Sequence, residues 1–215
     1  MPKTVEILIY DGVNELDFAA VFDILSSVEV MFPGGRIPQR GFVVDVVAER
    51  LTQVETCHGL KLNPQKGLAG LLGANILIVP GGPGARRPNI APGIIDWLTR
   101  NVGHTELFCS VSTGIYILGK AGLINNRRVA THYSLVDDLH RYYPRAEIVT
   151  GQRVATDGKN LMSSAGGTAA VDLALAIIQR FYGPQLATHA ANRVEYPYVP
   201  PPPPPPAPTL NISLD

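Results

Sequence analysis

"ELFCSVSTGIYILGKAGLI", residues 106–124, holds the sharpest change of pattern in the chain. Leu107 to Val111 is an apolar run of the length expected for a buried strand. A small polar residue, Ser112, ends it; Thr113 and Gly114 follow, and an apolar segment then closes at Gly122. The pattern predicts strand, sharp turn and helix, with one side chain displayed at the turn. Unpaired amides at the helix N-terminus stabilise negative charge at that point. A cysteine there would have a lowered pKa and act as a nucleophile. A serine hydroxyl needs a strong base beside it. Here the position is serine, and Cys109 lies three residues earlier, inside the strand run.

The same alternation extends on both sides. "VEILIYDG" (5–12), "FVVDVVAER" (42–50) and the start of "NILIVPGGPGARRP" (75–88) read as buried parallel strands. "NELDFAAVFDILSSV" (14–28) and "GIIDWLTRNV" (93–102) carry apolar residues near helical spacing. "VETCHGLKLNP" (54–64) predicts an extended pair bent at Gly59. "RRVATHYSLVDDLHRYYP" (127–144) predicts a short strand and a helix stopped before Pro144. In 147–165, Asp157-Gly158 marks a hairpin turn, and 166–183 is a helix ending at Gly183 before Pro184. Strands alternating with helices predict a single α/β domain, a three-layer sandwich on a mostly parallel central sheet with a nucleophile elbow. Ligands in such folds bind beyond the carboxyl ends of the strands. Three loops there stand out: Gly12 to Asp17, Pro80 to Gly84 and Val111 to Gly114.

Composition narrows the possibilities. The chain has 215 residues, suited to one domain, and 46% of them are hydrophobic. Eighteen basic residues balance eighteen acidic ones, so nothing draws it electrostatically to nucleic acid or an anionic membrane. With no long apolar run and no signal-peptide pattern at "MPKTVEILIY", a soluble cytoplasmic protein is expected. Two cysteines, Cys57 and Cys109, are too few for a disulfide framework. The domain is expected to span 1–196. Residues 197–215 form a proline-rich tail with seven consecutive prolines from Pro200 to Pro206, suited to polyproline II.

Around Ser112 the chemistry has several candidates. In "PGGPG" (80–84), Gly81 and Gly82 would offer backbone amides that, with that of Thr113, form an oxyanion hole. Asp17 and Glu15 in "NELDFAA" compete as the acid, and spacing does not choose between them. Cys57-His58 lies far upstream of the elbow and is expected to have no metal or catalytic role. No His/Cys cluster has metal-ligand spacing. No metal and no cofactor are expected.

"YDGVNELDFAAVFDIL", "LIVPGGPGARR", "SVSTGIYILGKAGLI", "RRVATHYSLVDDL" and "SSAGGTAAVDLAL" together resemble the ThiJ/PfpI superfamily, with its class I glutamine amidotransferase-like fold. Order and spacing match from residue 3 to about 196. Within it the chain looks most like isonitrile (isocyanide) hydratases and the ligand-sensing domains of AraC-type transcription regulators. The resemblance implies a homodimer acting on an isocyanide-like small molecule. It implies a nucleophile at position 112, Asp17 as proton carrier, Gly114 in the substrate-binding turn and a supporting role for His132. The departure is at 112, where the hydratase pattern has cysteine. An engineered Cys-to-Ser replacement, a natural serine leaving a binder or an impaired enzyme, and a nucleophile at Cys109 are the three explanations. The third is weakest, because Cys109 falls within the strand. Thr113 stands where family peptidases carry the histidine after the nucleophile, which argues against that route. A non-catalytic small-molecule binder is the alternative, and direct DNA binding is not expected.

Overall fold

Four of the apolar runs line up as neighbours in one sheet. The computed structural model describes residues 1–87, 92–158 and 160–200. Its central sheet comprises β1 (Lys3–Leu8), β2 (Phe42–Ala48), β3 (Lys66–Gly67), β4 (Ile76–Val79), β5 (Leu107–Val111), β6 (Val154–Asp157) and β7 (Leu161–Ser164). The spatial order is β6-β7-β5-β4-β1-β2-β3. Every pairing is parallel except that of β6 with β7, an antiparallel hairpin placing Asp157 opposite Leu161. All residues of β4 and β5 are buried, which is why these strands read as continuous apolar runs rather than alternating ones.

Helices α1 (Glu15–Ser26), α2 (Pro92–Arg100), α3 (Ile115–Lys120), α4 (Val136–Tyr142), α5 (Ala169–Tyr182) and α6 (Pro184–Arg193) flank the sheet. α1 packs on α5, and α5 carries α6; α2 packs on α3, which lies against β4 and β5. The predicted three-layer α/β sandwich is present. No helix among the described residues is long and apolar enough to cross a membrane.

Three details differ from the sequence reading. The chain after Tyr182 is not the end of the helical part: Gly183 breaks α5 with φ 90°, and Pro184 starts α6. Proline is suited to a first helical turn, where its missing N–H costs nothing. The strand expected after Arg127 is only Arg128–Val129, and it pairs with Glu147–Ile148 outside the central sheet. A further small pair, Glu29–Val30 with Gln39–Arg40, is too short to leave a pattern. Within the tail, Tyr198 is half-buried and its hydroxyl donates to Gln179 Oε1 at 2.8 Å. The proline run after Pro200 lies outside the described residues.

The order of β1, β4, β5 and β7 positions the site. Their carboxyl ends are adjacent, so the loops after Leu8, Val79, Val111 and Ser164 meet along one edge. Tyr10 ties two of these loops together by donating its hydroxyl to the carbonyl of Pro80 at 2.5 Å.

Candidate active site

Ser112 follows β5 directly and adopts φ 52°, a conformation a non-glycine residue rarely takes. A tight turn at 112–114 then leads into α3, the strand-elbow-helix arrangement expected. The strained backbone is held from outside: Thr131 donates its hydroxyl to the carbonyl of Ser112 at 3.1 Å. Two close approaches make room for the elbow. A Cβ on Gly166 would lie 2.7 Å from Ser112 Oγ. One on Gly81 would lie 2.7 Å from Ser112 Cβ and 2.5 Å from Asp17 Oδ2. Only glycine fits at either place.

Asp17 sits in the first turn of α1, capped by Asn14, whose side chain accepts from the amides of Leu16 and Asp17. Its carboxylate is buried and accepts two backbone amides, Gly81 N at 3.1 Å and Gly167 N at 3.0 Å. Burial raises its pKa, against the pull of those two amides and of His132. Gly81 therefore lies between Asp17 and Ser112, with both groups in reach of it.

Glu15, the competing acid, is held by the turn at Thr56–His58 rather than by the elbow. Thr56 donates its hydroxyl to Glu15 Oε1, and the amide of His58 donates to the same oxygen at 3.1 Å. Burial works to raise its pKa, but hydrogen bonds from Thr56, His58 and Cys57 prevail and hold the carboxyl at about 2. Glu15 is a fixed anion at neutral pH, whereas Asp17 is the carboxyl displaced toward its acid form.

The expected oxyanion hole needs correction. The amides of Gly81 and Gly82 are already committed, the first to Asp17 and the second to Thr113 Oγ1 at 2.7 Å. Thr113 returns the bond by donating its hydroxyl to the Gly82 carbonyl at 2.9 Å. These residues lock the loop after β4 to the elbow. Gly114 is buried against the end of β4 and is not among the residues lining the cavity. Cys109 is fully buried in β5, and burial pushes its thiol far above the usual range, which removes it as a nucleophile.

A cavity of about 880 Å³ opens over the elbow. Ser112, Thr113, Asp17 and Glu15 line it, together with apolar wall from Leu16, Leu60 and Leu135. His132 also faces it, half-buried. Its ring accepts from the amide of Ser134, lies tilted at 37° against Tyr133 with centroids 4.5 Å apart, and its Nδ1 meets Ser134 Oγ at 2.8 Å. Among the described residues the Ser112 hydroxyl makes no hydrogen bond to a carboxylate or an imidazole.

Two groups escaped the sequence reading. Gly166 and Gly167 build the wall behind Ser112 and Asp17, and the Gly-Gly pair ahead of α5 was the available signal. His58 was expected to be remote, yet it lines the same cavity, because the turn at 56–60 folds back over the start of α1. The amide of Cys57 donates to the carbonyl of Val13 at 2.9 Å and fixes that approach. Glu15, Cys57 and His58 form the one group among the described residues with donor atoms close enough to share a metal ion.

Residues 3–180 match the DJ-1/PfpI family. The isonitrile hydratase of Pseudomonas putida is 28% identical over 201 residues, 94% of this chain and 82% of that protein. The HTH-type transcriptional regulator CdhR of Pseudomonas aeruginosa is 28% identical over 174 residues, 81% of this chain but only 51% of the regulator. The chain thus spans about half the regulator's length. A crystal structure of a ThiJ/PfpI family protein from Pseudomonas syringae superposes with TM-score 0.78 at 24% identity, covering 94% of this chain and 78% of that one.

Proposed function

The chain belongs to the DJ-1/PfpI family, and on that premise we propose that its cavity takes an isocyanide-like small molecule and is laid out for hydration of the isocyanide carbon, with turnover held back by serine at 112. The observation that carries this reading is a strained elbow residue, φ 52°, facing the cavity beside a buried carboxyl of raised pKa. The isonitrile hydratase relative, matched over 94% of the chain, supports the choice of substrate class.

With a thiol at 112, the thiolate would form a carbon–sulfur bond to the isocyanide carbon. Asp17 would deliver a proton to the same carbon, giving a thioimidate. Water then adds to that carbon, the nitrogen takes a proton and the carbon–sulfur bond breaks. The products are an N-formyl amine and the free thiol, so the net reaction is isocyanide plus water to N-formyl amine. The amide of Thr113, adjacent to the elbow, is the donor left to meet developing charge. A serine cannot follow this course at a useful rate, because a carboxylate is far too weak a base to make an alkoxide.

A second reading, a non-catalytic small-molecule binder, is favoured by one observation: no base touches the Ser112 hydroxyl among the described residues. The two are separated by measuring N-formyl amine released from an alkyl isocyanide. The chain with Ser112 is expected to be inactive or very slow, and Ser112→Cys to raise turnover by orders of magnitude. An inactive Ser112→Cys variant that still binds the isocyanide would leave only the binder. We infer in addition a homodimer, as the family resemblance implies, and a cytoplasmic location, which suits two free thiols.

A further inference from the structure

At the rim of the cavity three unlike donor atoms converge. Cys57 Sγ lies 3.4 Å from Glu15 Oε2 and 3.2 Å from His58 Nδ1, and that nitrogen lies 2.7 Å from the same Oε2. The scaffold is pinned on both sides. The amide of Gly12 donates to the Glu55 carbonyl at 2.8 Å, and that of Cys57 to the Val13 carbonyl at 2.9 Å. Thr56 and the amide of His58 both occupy Oε1 of Glu15, which aims the other oxygen at the sulfur and the ring nitrogen.

A catalytic Cys-His-Glu relay does not account for this arrangement. A relay needs the thiol on one ring nitrogen and the carboxylate on the other. Here Nδ1 faces both, so it cannot take the thiol proton while donating its own to Glu15. One point surrounded by a sulfur, a nitrogen and an oxygen is instead the geometry of chelation.

We propose that Glu15 Oε2, Cys57 Sγ and His58 Nδ1 bind one divalent transition-metal ion of the zinc class, leaving a fourth position open. Zinc–ligand lengths of about 2.0–2.3 Å require tetrahedral edges of roughly 3.3–3.6 Å. The two edges at sulfur are near that range, and the nitrogen–oxygen edge must widen, which the His58 side chain, 75% exposed, is free to allow. A thiolate in the set disfavours magnesium and calcium, which take oxygen ligands. Binding forms the metal–sulfur bond and releases the thiol proton to solvent. Thiolate and carboxylate together neutralise the ion's two charges. Glu15 and His58 line the cavity that holds Ser112 and Asp17, so the ion would sit at its mouth. The site rests on these three side chains and not on any chemistry at Ser112.

Cobalt(II) titrated into the full chain reads the site by its colour. One equivalent is expected to give a sulfur-to-cobalt charge-transfer band with the intense visible bands of a tetrahedral ion, and zinc to bleach both. Cys57→Ser should abolish the charge-transfer band. His58→Gln, a change at an exposed side chain, should weaken cobalt binding. Thr56→Val should weaken it about tenfold while keeping the band, since partners that orient a ligand matter on that scale. Zinc should also shield one thiol of the unaltered chain from alkylation, a measurement independent of any variant's folding. No charge-transfer band at stoichiometric cobalt, a band that survives in folded Cys57→Ser, or no zinc protection of the thiol would each overturn the proposal.

Discussion

Gly81 is the thinnest part of the candidate site. A methyl group there would press on Asp17 Oδ2 and Ser112 Cβ, at 2.5 Å and 2.7 Å; two backbone amides hold the first, and the Thr131 hydroxyl holds the carbonyl of Ser112. Gly81→Ala should therefore destabilise the fold by about 1–3 kcal/mol, the usual cost of overpacking. It should also abolish isocyanide binding, because the separation of the acid from the elbow is what the cavity floor consists of. Urea unfolding and a calorimetric titration with the isocyanide measure the two effects; a variant that binds normally would show that the loop after β4 is not part of the floor.

Among the strands, β1 carries an unusual burden. Glu6 is 4% exposed in its middle, with Oε2 buried and unpartnered. Burial raises its pKa to about 7, only partly offset by Lys66. The folded pKa exceeds the unfolded one, so the stability linked to Glu6 is fully present below about 4.5 and is lost as pH rises through about 7. The shift corresponds to ~3 kcal/mol. Unfolding midpoints should fall from pH 5 to pH 8, and Glu6→Gln should flatten that fall; an equal slope in both proteins would contradict the assignment. The strands themselves were legible because both faces of β4 and β5 are buried and both demand apolar side chains. The helix α6 was not. Its buried face is Ala187, Ala190 and Ala191, whose small side chains give little contrast with their polar neighbours, and Gly183-Pro184 reads as a stop. The elbow was legible from a change of pattern over four residues. The partners of Asp17 and Glu15 were not, since amides at Gly81 and Gly167 and the turn at Thr56–His58 arrive from far along the chain.

A homodimer should appear in light scattering at twice the 23.1 kDa of one chain, and a mass of one chain would remove that claim. Truncation after Pro197 removes Tyr198 and its hydrogen bond to Gln179. That change should cost about 1 kcal/mol, the net worth of a typical hydrogen bond. Truncation after Pro200 keeps this contact, so comparing the two unfolding midpoints isolates the contribution of residues 198–200. Equal midpoints would mean that Tyr198 adds nothing to the domain.

Whether position 112 and Asp17 form one reaction centre is decided by N-formyl amine formation in Ser112→Cys and in Ser112→Cys combined with Asp17→Asn. Asparagine keeps the shape of the side chain, gives up one of the two backbone-amide hydrogen bonds and removes the proton that the proposed mechanism delivers to the isocyanide carbon. Ser112→Cys is predicted to turn over, and the double variant to lose most of that rate while staying folded and binding the isocyanide. Equal rates in the two folded proteins, or a loss produced instead by Glu15→Gln in the same background, would show that Asp17 is not the proton donor.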